Sequence, residues 1–104
     1  MTTFDERERG FESHFVMEEE LQFKALARRD RMLGEWAGQL LGKSGEELET
    51  YVLAVVRSDL TEPGDDDVLE KLVADLAGKA DASEIKLKMD ALLVEARAAV
   101  RATA

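Results

Sequence analysis

Apolar positions recur with a helical period along most of this chain, and their character changes within the first forty residues. Thr3 to Glu20 is acidic and thin in apolar residues, yet it carries Phe4, Phe11 and Phe15 at i, i+7 and i+11, on one face of a helix. Thr3 and Glu6 have capping-box spacing, so a helix can start at Phe4, with Asp5 and Glu6 suited to its positive end. Gly10 weakens that helix by about 1 kcal/mol relative to alanine. Glu18, Glu19 and Glu20 interrupt the stripe and repel one another, which predicts a kink or a fraying point near Met17 to Glu20. From Leu21 the pattern strengthens: Leu26, Leu33, Trp36 or Ala37, and Leu40 form a stripe. Lys24, Arg28, Arg29 and Arg31 form a basic cluster opposed only by Asp30, and Gly42 reads as the helix stop.

Ser44 and Glu47 make a second capping box, opening a helix to about Ser58 that buries Leu48, Tyr51 or Val52, Val55 and Val56. The segment TEPGDDD from Thr61 breaks the chain through Pro63 and Gly64. Asp65 can cap the next helix, with Asp66 and Asp67 in its first turn and Val68, Leu69, Leu72, Val73 and Leu76 facing inward. Gly78 stops it. Asp81 with Glu84, or Ser83 alone, caps a last helix with the stripe Ile85, Met89, Leu92, Leu93, Ala96 and Val100. Short connections favour antiparallel neighbours. The expectation is an all-α protein, an antiparallel four-helix bundle with a weakly held extra N-terminal helical segment. Residues 1–104 form one helical domain, divided into an N-terminal segment, 1–19, and the bundle, 20–104.

Charge and composition narrow the function. A formal net charge of −9 over 104 residues opposes binding to nucleic acid or to an anionic membrane, and favours a basic partner surface. The absence of cysteine removes disulfides, thiolate nucleophiles and thiolate metal sites, and suits a reducing cytoplasm. The charged start is no signal peptide, and the apolar runs are far too short to span a bilayer. The expected location is cytoplasmic and the free chain a monomer.

The reactive groups of an enzyme are missing, and no catalytic residues are assigned. A Ser-His-Asp triad would need the single histidine, His14, on the weakest helix, a poor place to hold geometry. A ferritin-like site needs Glu-x-x-His, but Phe11 stands three residues before His14. His14 and Glu18 at i, i+4 read as an exposed pair. Asp65, Asp66 and Asp67 are contiguous and follow Gly64, unlike a calcium loop, so helix capping explains them better. The run GKSG lacks the upstream glycine of a phosphate loop, since Ala37 occupies that spacing; Lys43 and Ser44 could meet an anion weakly. No metal site or required cofactor is expected.

The stretches FDERERGFESHF, FKALARRDRMLGEWAGQLLG and EPGDDDV together resemble one family over about Thr3 to Val100. It is the ζ subunit family of α-proteobacteria, whose characterised members inhibit the F-type ATP synthase. The resemblance is most specific from Phe23 to Gly42, where Phe23, Lys24, Ala25, Ala27, Arg28, Arg29, Leu33, Gly34, Trp36, Ala37, Leu41 and Gly42 match the family pattern. Asp30 and Arg31 depart from its asparagine and lysine.

The resemblance implies a bundle whose N-terminal segment enters the catalytic head and wedges as a helix between catalytic subunits and rotor shaft, blocking ATP hydrolysis. Phe4, Arg7, Glu8, Phe11, His14 and Phe15 would bind the partner. It also implies weak ATP or ADP binding, for which Arg28, Arg31 and Trp36 are the candidates by charge and stacking. His14 offers a pH-sensing position by its titration range alone. Two other readings stand beside inhibition: a nucleotide-responsive helical sensor, and a structural bundle whose inhibitory role has been lost.

Overall fold

The computed structural model describes residues 2–61 and 64–103, and for residues 2–17, 60 and 61 the backbone alone. Four helices follow in order: α1 (Thr2–Leu40), α2 (Gly45–Thr61), α3 (Asp66–Asp75) and α4 (Ala82–Thr103). Helix α1 packs on α2 and α4, α3 also packs on α2 and α4, and the four close a ring around one core. The all-α bundle expected from periodicity is therefore present.

Helix α1 departs from expectation. It runs unbroken through Gly10 and through Met17 to Glu20. A single glycine costs about 1 kcal/mol, too little to break a helix continued on both sides. Consecutive glutamates point about 100° apart around the axis, so their repulsion is small, and Glu is a good helix former. Glu18, Glu19 and Glu20 are all exposed. Thirty-nine residues at about 1.5 Å each give a rod near 58 Å, which accounts for most of the 64 Å long axis of the molecule.

The end of α1 is built as the sequence reads. Gly42 has φ 78°, its N–H bonds the Gln39 carbonyl at 3.0 Å, and Lys43 N–H bonds that of Gly38 at 2.9 Å. This Schellman pattern satisfies the last carbonyls and turns the chain. Helix α2 extends to Thr61, beyond the expected Ser58. Pro63, the expected breaker, lies outside the described residues. At α4 the Asp81 carboxylate accepts the Glu84 N–H at 2.8 Å, the expected cap.

The main core gathers Leu33, Ala37, Val55, Val68, Leu72, Leu76, Ile85, Met89 and Leu92. A smaller one, Ala25, Ala96 and Val100, joins α1 to the last turns of α4. Leu40 and Val73, expected inside, are 40% and 37% exposed. Each sits at the edge of its stripe, where the neighbouring helix no longer covers it.

Two glycines that the periodicity passed over set the α1–α2 distance. A Cβ on Gly34 would stand 2.8 Å from the Val52 Cα, and one on Gly38 would collide with Leu48 Cδ1. Hydrogen at these positions lets the α2 backbone approach closely. The C-terminal half of α1 is thereby clamped in the bundle.

Candidate functional site

The candidate site is α1 itself, and the structural question is what holds it. At the far end of α4, Arg101 pairs with Glu18 at 3.6 Å, while Leu21 packs beside Ala25, Ala96 and Val100. Further along α1, Lys88 stands over the Trp36 ring at 5.8 Å from its centroid. These contacts run α4 antiparallel to α1, and α4 itself ends at Thr103, two residues past the Arg101–Glu18 pair. The backbone of α1 continues N-terminally from there to Thr2.

A buried ionic cluster fixes α1 to the other side of the bundle. Arg29 is 1% exposed and Asp30 2%. The Arg29 guanidinium donates to both Asp65 oxygens, Nη1 to Oδ2 at 3.1 Å and Nη2 to Oδ1 at 2.9 Å. It also donates to Asp30 Oδ1 from Nε at 3.2 Å and Nη2 at 2.9 Å, and lies 3.6 Å from Asp59 Oδ2. One cation therefore ties together residues on both sides of the α2–α3 connection. The fork geometry suits bidentate carboxylate binding, which a lysine could not reproduce.

This arrangement overturns two expectations. Arg29 is opposed not by Asp30 alone but by three carboxylates, Asp30, Asp59 and Asp65. Asp65 occupies the N-cap position of α3 yet makes no side-chain cap bond, because its carboxylate is spent on Arg29. The cluster had one local sign in the sequence. Arg29 and Asp30 interrupt the stripe Leu26–Leu33 at positions that face the core, and a charged pair there must be satisfied from elsewhere. Its partners, Asp59 and Asp65, could not be named without the fold.

The electrostatics are uneven. Burial, aided by a hydrogen bond with Asp59, pushes the Asp30 carboxyl up to about 8, although Arg29 pulls it down. At neutral pH Asp30 is thus mostly protonated. Burial alone would lower the Arg29 guanidinium, but its bonds to Asp65 and Asp30 hold it above the ordinary range. A half-buried polar pair, the Tyr51 hydroxyl donating to Asp75 at 2.8 Å, links α2 to α3; partial burial and that carboxylate push the phenol up.

The candidate partner-binding residues Phe4, Arg7, Glu8, Phe11, His14 and Phe15 lie on the described α1 backbone, and their side chains lie outside the described residues. The nucleotide candidates are not brought together. Arg28 is exposed, Arg31 faces α2 with Glu49 at 3.2 Å, and Trp36 faces α4 under Lys88. Among the described residues no cluster of His, Asp or Glu could hold a metal ion, and no helix is long and apolar enough to cross a membrane.

Sequence comparison assigns this architecture. The family model for ATPase inhibitor subunit zeta matches residues 1–99. The chain belongs to the ATPase inhibitor subunit zeta family. A solved structure determined by solution NMR is similar at 39% identity and a TM-score of 0.72, covering 81% of this chain and 99% of its own. No curated protein matches. Membership of an inhibitor family points to a non-catalytic protein.

Proposed function

We propose that the chain inhibits ATP hydrolysis by an F-type ATP synthase, acting in the cytoplasm as a mechanical block with no chemistry of its own. The N-terminal part of α1, about residues 1–19, enters the catalytic head between catalytic subunits and rotor shaft. The bundle of residues 20–104 is the handle that limits how far it enters.

The observation that carries this reading is the unbroken α1, clamped from Glu18 onward by α4, α2 and the Arg29 cluster, with its N-terminal turns continuing past the end of α4. An inhibitory element that is already helical spends little further backbone entropy on binding, whereas ordering each residue from coil costs about 1–2 kcal/mol. Phe4, Phe11 and Phe15 serve as anchors on one face, in the manner of a helix laid in a groove. Arg7, Glu8 and His14 lie among them as the polar contacts. Full burial of each phenylalanine contributes about 1.5–3 kcal/mol. The weak ATP or ADP binding stays outside this proposal, since Arg31 and Trp36 diverge.

The test is ATP hydrolysis by the catalytic head of the same organism, with the full chain and with a version beginning at Glu20. Inhibition by the full chain alone supports the proposal. Equal inhibition by both would transfer the activity to the bundle, and inhibition by neither would refute it.

A further inference from the structure

Helix α4 carries a second apolar stripe on the side away from the core. Leu87 is 70% exposed and Val94 67%. Ala91 and Ala98, also exposed, fall between and after them at i+4 and i+11 from Leu87. In heptad terms Leu87 and Val94 sit at d, and Ala91 and Ala98 at a. The core-facing residues Ile85, Met89, Leu92, Ala96 and Val100 occupy the opposite face, so this second stripe is not needed to fold the chain.

We propose that this face docks a second copy of the same chain, α4 against α4, in an antiparallel pair around a twofold axis between Ala91 and Val94. The argument is self-complementarity. In that register Leu87 meets Ala98 of the other copy, and Ala91 meets its Val94, so every layer sets a branched side chain against a methyl group. The flanking charges match as well. Asp90 at g faces Arg97 of the other copy, and Lys88 at e faces its Glu95. In the outermost layers Glu84 faces Arg101. Each pair occurs twice by symmetry, and no like charges are opposed. A parallel pairing fails on the same residues, since it would set Asp90 beside Glu95, Glu84 against Glu84 and Arg101 against Arg101.

Glu84, Asp90, Glu95, Arg97 and Arg101 are exposed. Among the described residues Arg101 is held by the solvent-exposed 3.6 Å pair with Glu18, and Lys88 rests over Trp36, so both can turn to the new partner. One helix face on each copy covers less than the roughly 1,600 Å² of a standard interface. The association is accordingly weak: the dilute chain is a monomer and dimers form towards millimolar concentration. Antiparallel α4 helices send the two α1 N-termini in opposite directions, so the pairing leaves both accessible.

The experiment is sedimentation equilibrium of the full chain at about 0.15 M salt, which screens the repulsion between two chains of net charge −9, from about 20 µM to about 1 mM. The weight-average mass should climb from 11.6 kDa towards twice that value. Val94→Glu should hold it at the monomer. Asp90→Arg and Arg97→Asp should each weaken association by about fivefold or more, by creating two like-charge pairs. The double swap, Asp90→Arg with Arg97→Asp, should restore it. A mass that stays monomeric to the highest concentration overturns the proposal. So does association that survives Val94→Glu, which would place the contact on another face, or a double swap no better than its single parents.

Discussion

Replacing Asp30 by asparagine should remove most of one pH-dependent term from the stability of the bundle. Asp30 is 2% exposed, and its carboxyl titrates at about 8 in the folded chain against an ordinary 3.8. The folded state therefore holds a proton that the unfolded state has lost between these two values. Stability falls as pH rises across that window. It is greatest below pH 4 for this group and lost through pH 8. One such proton gives a slope of about −1.4 kcal/mol per pH unit, or roughly 3 kcal/mol between pH 5 and 7. Asparagine is close to isosteric with the protonated carboxyl and keeps an oxygen for Arg29, so Asp30→Asn should fold with little change near pH 4. Its stability relative to the parent should then grow steadily towards pH 8. The assay is urea unfolding followed by helical circular dichroism at pH 5, 6, 7 and 8, with the difference between the two proteins read at each pH. Titrating groups outside the Arg29 cluster contribute equally to both and cancel. Two parallel curves would refute the assignment of a buried, protonated Asp30.

Three further outcomes follow from the same geometry. Arg29→Ala strands Asp59 and Asp65 beside Asp30 without their cation; it should cost about 3–5 kcal/mol in urea unfolding at pH 7, nearer the lower figure because Asp65 is half exposed, and a loss under about 1 kcal/mol would count against the cluster as an anchor. Gly34→Ala gains about 1 kcal/mol of helix propensity but drives a methyl to 2.8 Å from the Val52 backbone, an overpacking of about 1–3 kcal/mol or more; a net loss is expected, larger than for Gly38→Ala, whose nearest neighbour is the swinging end of Leu48, and a net gain would refute close packing. Phe11→Ala combined with Phe15→Ala should raise the concentration for half-inhibition of ATP hydrolysis by at least about tenfold while leaving the urea midpoint of the bundle unchanged; unchanged potency would remove them as anchors.

Much of the fold was legible because helix formation is periodic and local. The stripes Leu26–Leu33, Val68–Leu72–Leu76 and Ile85–Met89–Leu92–Ala96 are read within one element, and in the structure all but the half-buried Leu26 are buried. Gly42 and Asp81 act through hydrogen bonds a few residues away, so their roles were visible from spacing. The kink near Met17 to Glu20 was misread because local repulsion was weighed without the helix on either side. The family pattern around Phe23 to Gly42 was also carried by the sequence, and it is what gives α1 its functional meaning.

The sequence by itself determined four helices, their order, the apolar face of each and the candidate anchors Phe4, Phe11 and Phe15. Only the tertiary structure decided which charges are structural. Arg29 reads as one more surface base until Asp65, 36 residues away, closes on it, and Asp65 reads as a helix cap until Arg29 takes its carboxylate. The same holds for Gly34, a neutral position in a helix until Val52 arrives against it. Hydrophobic patterning is a property of one segment, but desolvation and close approach depend on what a distant segment places alongside. That is why the bundle could be read from the chain, and the clamp that holds α1 could not.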